Sequence, residues 1–65
     1  MDNKKIGERL RALRGDKTQK EVADAIGTTA MAISNYESGE RVPCDGIKMK
    51  LAEYYGVTVQ SIFFT

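Results

Sequence analysis

The sequence predicts an all-α fold, one compact domain of five short helices over residues 1–65. Three observations carry this expectation. Apolar residues recur at helical spacing along most of the chain, cap-forming Thr or Asp residues stand ahead of several of those stripes, and glycines follow most of them. Strand-like alternation of apolar and polar residues is nowhere sustained.

The elements follow in order. Ile6, Leu10 and Leu13 stand at i, i+4 and i+7, so the first helix is expected over residues 3–14, with Gly15-Asp16 as its stop. Thr18 and Glu21 have capping-box spacing, in which the hydroxyl and the carboxylate each satisfy a backbone N–H at a helix start. The second helix then runs to Ile26 with Val22 and Ile26 inward, and Gly27 is suited to the left-handed conformation that ends it. Thr28 or Thr29 caps the third helix, in which Ile33 and Tyr36 are the large apolar pair and Gly39 is the stop. Residues 38–43 read as a loop. Asp45 is the expected cap of a fourth helix lined by Ile47, Leu51, Tyr54 and Tyr55 and ended by Gly56. Val57 and Ile62 flank Thr58 as a hydrophobic staple, which places a short fifth helix from about residue 59.

Composition narrows the function. A chain of 65 residues buries too little surface to support an extended catalytic cleft, so no enzyme is expected. With one cysteine, Cys44, and no histidine, the chain offers no internal disulfide, no zinc set and no Cys/His or Ser/His nucleophile pair. No metal, cofactor or small-molecule ligand is expected. The opening MDNKKIGERL lacks the apolar core of a secretion signal and no run has the length of a membrane span, which gives a cytoplasmic expectation. The net charge of +1 conceals an asymmetry: residues 1–20 hold seven basic side chains against three acidic ones, and the remainder holds three against six. Two readings stand for that asymmetry, a polyanion footprint and ordinary solvated helix faces.

The joint between the second and third helices is more specific. Ala23 is small where the third helix would cross, Gly27 allows a sharp turn, and Ile33 comes ten residues after Ala23 to plug the angle, features of a helix-turn-helix. The run Gln19-Lys20-Glu21-Val22-Ala23, then Ile26-Gly27-Thr28-Thr29, Ile33 to Gly39, Arg41, Pro43, Leu51-Ala52 and Tyr55 to Val59 resembles the lambda repressor/Cro-type helix-turn-helix family over nearly the whole chain. That resemblance implies a lambda-repressor-like five-helix DNA-binding domain whose third helix enters the major groove, usually in a transcriptional repressor. The joint over residues 14–19 is two residues shorter than in many members, with Lys17 near the position of a family Leu. The resemblance also implies an ion pair between Arg14 and Glu37, with Arg11 as the substitute in a shifted register.

With Ile33 and Tyr36 inward, the outward positions of the third helix are Thr29, Ala30, Met31, Ser34 and Asn35, the expected base contacts. Ala, Met and a Thr methyl suit the thymine methyl group, and Asn35 can pair bidentately with adenine, so an A·T-rich half-site is expected. The blander readings are helix formers or a protein-docking face for Ala30 and Met31, and a solvated polar residue for Asn35. Gln19, at a helix N-terminus, and Arg41, in the loop after the third helix, are the expected phosphate contacts, with Lys20 and Lys17 assisting. In the family the Gln at the position of Gln19 holds a phosphate. Lys4, Lys5 and Arg9 read as solvated. Tyr36 reads as core with its hydroxyl near the surface.

One recognition helix offers few base contacts, so two copies on a palindromic site are expected. Phe63 and Phe64 cannot both face one core from a short helix, so one of them is either a dimer contact or a loosely packed end. The function these features suggest is a Cro-like repressor that binds double-stranded DNA as a homodimer. The alternative is a protein-binding module on the same fold, an antitoxin or anti-repressor.

Overall fold

The computed structural model describes residues 2–64, and Met1 and Thr65, the two ends of the expected domain, lie outside the described residues. Five helices follow one another: α1 (Asn3–Arg14), α2 (Gln19–Ile26), α3 (Ala30–Ser38), α4 (Asp45–Tyr55) and α5 (Val59–Phe63). Among the described residues there is no strand, and no helix is long and apolar enough to cross a membrane.

Local chemistry sets most of the boundaries. The Asp2 carboxylate accepts the N–H groups of Lys4 and Lys5 at 2.9 and 3.3 Å, starting α1. The hydroxyls of Thr18, Thr29 and Thr58 accept the N–H groups of Glu21, Ala32 and Ser61 at 3.0, 3.1 and 3.0 Å. Thr29, not Thr28, is therefore the cap of α3. Asp45 does not cap α4. The cap position is Cys44, which makes no side-chain hydrogen bond to the helix, and Asp45 is the first helical residue. Buried Pro43 keeps Val42 before it out of helical conformation, while the Asp45 carboxylate still favours the positive end of the helix dipole.

The core draws on every helix: Ile6 and Leu10 from α1, Val22, Ala23 and Ile26 from α2, Ile33 from α3, Leu51 and Ala52 from α4, and Ile62 and Phe63 from α5. Each fully buried large aliphatic or aromatic side chain is worth about 1.5–3 kcal/mol. On that scale α3 is the least well anchored, since Ile33 is its one buried apolar residue. Tyr36 packs at the edge of the core, half-buried.

What compensates α3 is a close approach to α1. Gly7 is buried, and a Cβ placed on it would lie 2.1 Å from the carbonyl oxygen of Glu37 and 3.0 Å from that of Tyr36. Only a residue without a side chain lets the two backbones meet there. The turn between α2 and α3 closes at Gly27, whose φ of 77° is left-handed, and the N–H of Thr28 donates to the Ala23 carbonyl at 2.9 Å. Ala23 and Ile33 are 1% and 2% exposed, as the crossing of two helices at a sharp angle requires.

Arg9 is not simply solvated. Its Nη1 donates to the carbonyl of Ile62 at 2.9 Å, tying α1 to the last turn of α5. Lys4 and Lys5 are exposed. Phe63 is 1% exposed and belongs to the core, which removes it as a candidate dimer contact, whereas Phe64 is 56% exposed.

Candidate nucleic-acid interface

The outer side of α3 carries no charge. Ala30, Ser34 and the cap residue Thr29 are exposed, Met31 is 74% exposed, and Asn35 is half-buried. Thr29 spends one acceptor site of its hydroxyl on the cap, leaving the O–H and the methyl group to face outward chemistry. An exposed thioether and methyl groups beside an amide form a surface of low hydration cost.

Asn35 is also the hinge of the loop that follows. Its carbonyl accepts the N–H groups of Glu40 at 3.0 Å and Arg41 at 3.2 Å and the Ser38 hydroxyl at 3.2 Å. These bonds fold residues 39–41 back on α3, so that Arg41 joins Thr29, Met31 and Asn35 along one surface groove. Ala32 and Tyr36 line the same groove, and neither is among the outward positions that helical spacing selects. Spacing places residues on a face, while the groove depends on where the loop returns.

Behind the face lies a buried carboxylate. The Glu37 side chain is 1% exposed and takes a two-pronged hydrogen bond from Arg14, Nε to Oε2 at 2.7 Å and Nη2 to Oε1 at 3.0 Å. Arg14, not Arg11, is the direct partner. Arg11 stays 65% exposed with Nε 3.9 Å from Oε1. The hydrogen bonds that Arg14 donates to Glu37 raise the pKa of its guanidinium above the ordinary value, against a smaller opposing effect of burial. Arg14 also donates to the Lys17 carbonyl at 2.7 Å, which fixes the short joint between α1 and α2. Burial, assisted by the Glu37 charge, pushes the Tyr55 hydroxyl up to about 12. No buried side-chain polar atom among the described residues lacks a hydrogen-bond partner.

The four expected phosphate contacts are differently placed. Gln19, half-buried at the first position of α2, donates Nε2–H to Glu37 Oε1 at 3.2 Å, leaving its second amide N–H. Arg41 is exposed at the groove. Lys20 is exposed but bonded to Asp24 at 2.8 Å, and this partner raises its pKa. Lys17 is exposed, its Nζ 6.0 Å from the centre of the Tyr54 ring. The Gln19 bond to Glu37 and the role of Gly7 have no signature in the local pattern, apart from the oddity of a glycine inside a helical stripe.

A family model described as helix-turn-helix matches residues 8–62, a span from the middle of α1 to α5. No curated protein and no solved structure matches the chain.

Proposed function

The chain belongs to the lambda repressor/Cro-type helix-turn-helix family of DNA-binding transcription regulators, and we propose that it acts as a Cro-like repressor, two copies occupying a palindromic operator. The observation that carries this reading is the uncharged outer side of α3, with Arg41 in the groove beside it and Gln19 bonded to Glu37 of the same helix. A face directed at base edges needs methyl groups and an amide rather than charges, while the phosphates on either side need N–H donors and a cation. In this reading Thr29, Ala30, Met31, Ser34 and Asn35 face the bases, with the Asn35 amide on an adenine and Met31 and the methyl groups on thymine. Gln19 and Arg41 hold phosphates, and Lys17 and Lys20 add attraction, that of Lys20 reduced by Asp24.

Each copy reads one half-site, and Phe64 supplies the contact between copies. Selection of bound duplexes from a random pool tests this directly. The expected product is an A·T-rich palindrome whose half-sites lie about one helical turn apart. Recovery of no sequence preference, together with indifference of binding to Gln19→Ala and Arg41→Ala, would point to a protein-docking use of the same face.

A further inference from the structure

We infer that Glu37, which this reading places behind the DNA-facing surface, is a positioning residue for the Gln19 phosphate contact. The inference rests on the DNA-binding reading above. An ionised carboxylate only accepts hydrogen bonds, so the bond of Gln19 Nε2 to Glu37 Oε1 at 3.2 Å dictates which way the Gln19 amide is turned. Phosphate oxygens also only accept, so an amide turned with its carbonyl toward the backbone of DNA would repel it. The buried carboxylate removes that freedom before DNA arrives.

The arrangement tolerates a negative charge so near a phosphate because the charge is neutralised in place. Arg14 satisfies both carboxylate oxygens, and Arg11, 3.9 Å away and largely exposed, adds a second cation on the outer side. Glu37 is a residue of α3, Gln19 the first residue of α2, and Arg14 the last residue of α1. One carboxylate therefore fixes the orientation of the base-reading helix and the orientation of a phosphate donor together. A shift of α3 would release Gln19, and phosphate anchoring becomes conditional on a correctly seated reading helix.

The unaltered chain supplies the first measurement. In ¹⁵N relaxation, the Gln19 side-chain amide should be ordered in the absence of DNA, in contrast to that of exposed Gln60. Equal mobility of the two overturns the inference, and this measurement needs no variant to fold. The second measurement is a double-mutant cycle on a duplex of arbitrary sequence, with folding of each variant checked by circular dichroism. Gln19→Ala alone should weaken binding about tenfold, the scale of one hydrogen bond to a charged group. With Glu37→Gln already present, the further loss from Gln19→Ala should shrink to about twofold or less. If Glu37 merely braces the fold, the two losses multiply, and the positioning role is overturned. Absence of all DNA binding by the unaltered chain overturns the DNA-binding reading itself, and is distinguishable from multiplying losses on a chain that binds.

Discussion

Against α1, α3 is held by a polar lock and a backbone contact, the Arg14–Glu37 pair and the approach of Gly7 to the Glu37 carbonyl. Against α4, α5 is held by apolar packing of Ile62 and Phe63, with Lys48 Nζ 5.5 Å and 5.0 Å from the ring centres of Phe63 and Phe64. The first arrangement is directional and the second is not. Hydrogen-bonded charges and backbone contacts specify an angle, while apolar burial and a cation over a ring tolerate small displacements. The proposed base-reading role asks for a fixed angle of α3, which this lock supplies, whereas α5 takes its direction from α1, through the Arg9 bond to the Ile62 carbonyl, rather than from α4.

The largest expected effect breaks the directional lock. Arg14→Met leaves the Glu37 carboxylate buried with only distant Arg11 and Gln19 as partners, and should cost about 3–5 kcal/mol. At roughly 0.05–0.15 kcal/mol per residue a chain of this size holds only about 3–10 kcal/mol, so the variant should lose about a third of its stability or more. Lys48→Met, at the other joint, should change stability by no more than about 1 kcal/mol in the same urea titration. Similar losses at the two sites would mean that the two joints are held alike.

Two glycines sharpen it. Gly7→Ala must push α1 from α3 and should cost about 2–3 kcal/mol. Gly46→Ala, on α4, meets no atom within 4 Å and should stabilise by about 0.5 kcal/mol through reduced freedom of the unfolded chain. Opposite signs of the shift in thermal midpoint are the expected result, and a stabilised Gly7→Ala would contradict the close approach.

At the proposed interface the expected changes are in binding. Asn35→Ala should lose about 1–3 kcal/mol on the selected site and almost nothing on random DNA, measured by fluorescence anisotropy. Arg41→Ala should weaken both and lower the slope of log affinity against log salt by about one. Phe64→Ser should cost the fold no more than about 1 kcal/mol, because the residue is 56% exposed and Lys48 is its ring contact, yet abolish cooperative occupancy of a full palindrome while sparing half-site binding. Retained cooperativity would move the contact between copies elsewhere.

One effect is confined to alkaline pH. The fold favours the neutral Tyr55 hydroxyl, whose pKa is about 12 against about 10 in an unfolded chain. Its contribution is therefore whole below about pH 10 and is lost as pH rises toward 12. The thermal midpoint of the parent should fall across that window more steeply than that of Tyr55→Phe.

The elements and most of the inner face are written in local sequence. Thr18, Thr29 and Thr58 cap by contacts within three residues, Gly27 turns by its own backbone freedom, and the stripes of α1 and α2 follow from helical periodicity, so all of these are local facts written where they act. Ala23 and Ile33 at the joint were legible for the same reason. Local pattern places the start of α4 one residue late, because Asp45 offers a capping side chain while the extended Cys44 after Pro43 sets the boundary without one. Packing between helices settles which Phe is core, that Arg9 reaches the Ile62 carbonyl, that Gly7 marks a crossing, and that Gln19 rests on Glu37. Those contacts join residues 18 to 53 positions apart in the chain or depend on the seating of a whole helix. Spacing along one helix states which side a residue faces, but what stands opposite is set by how the other helices pack.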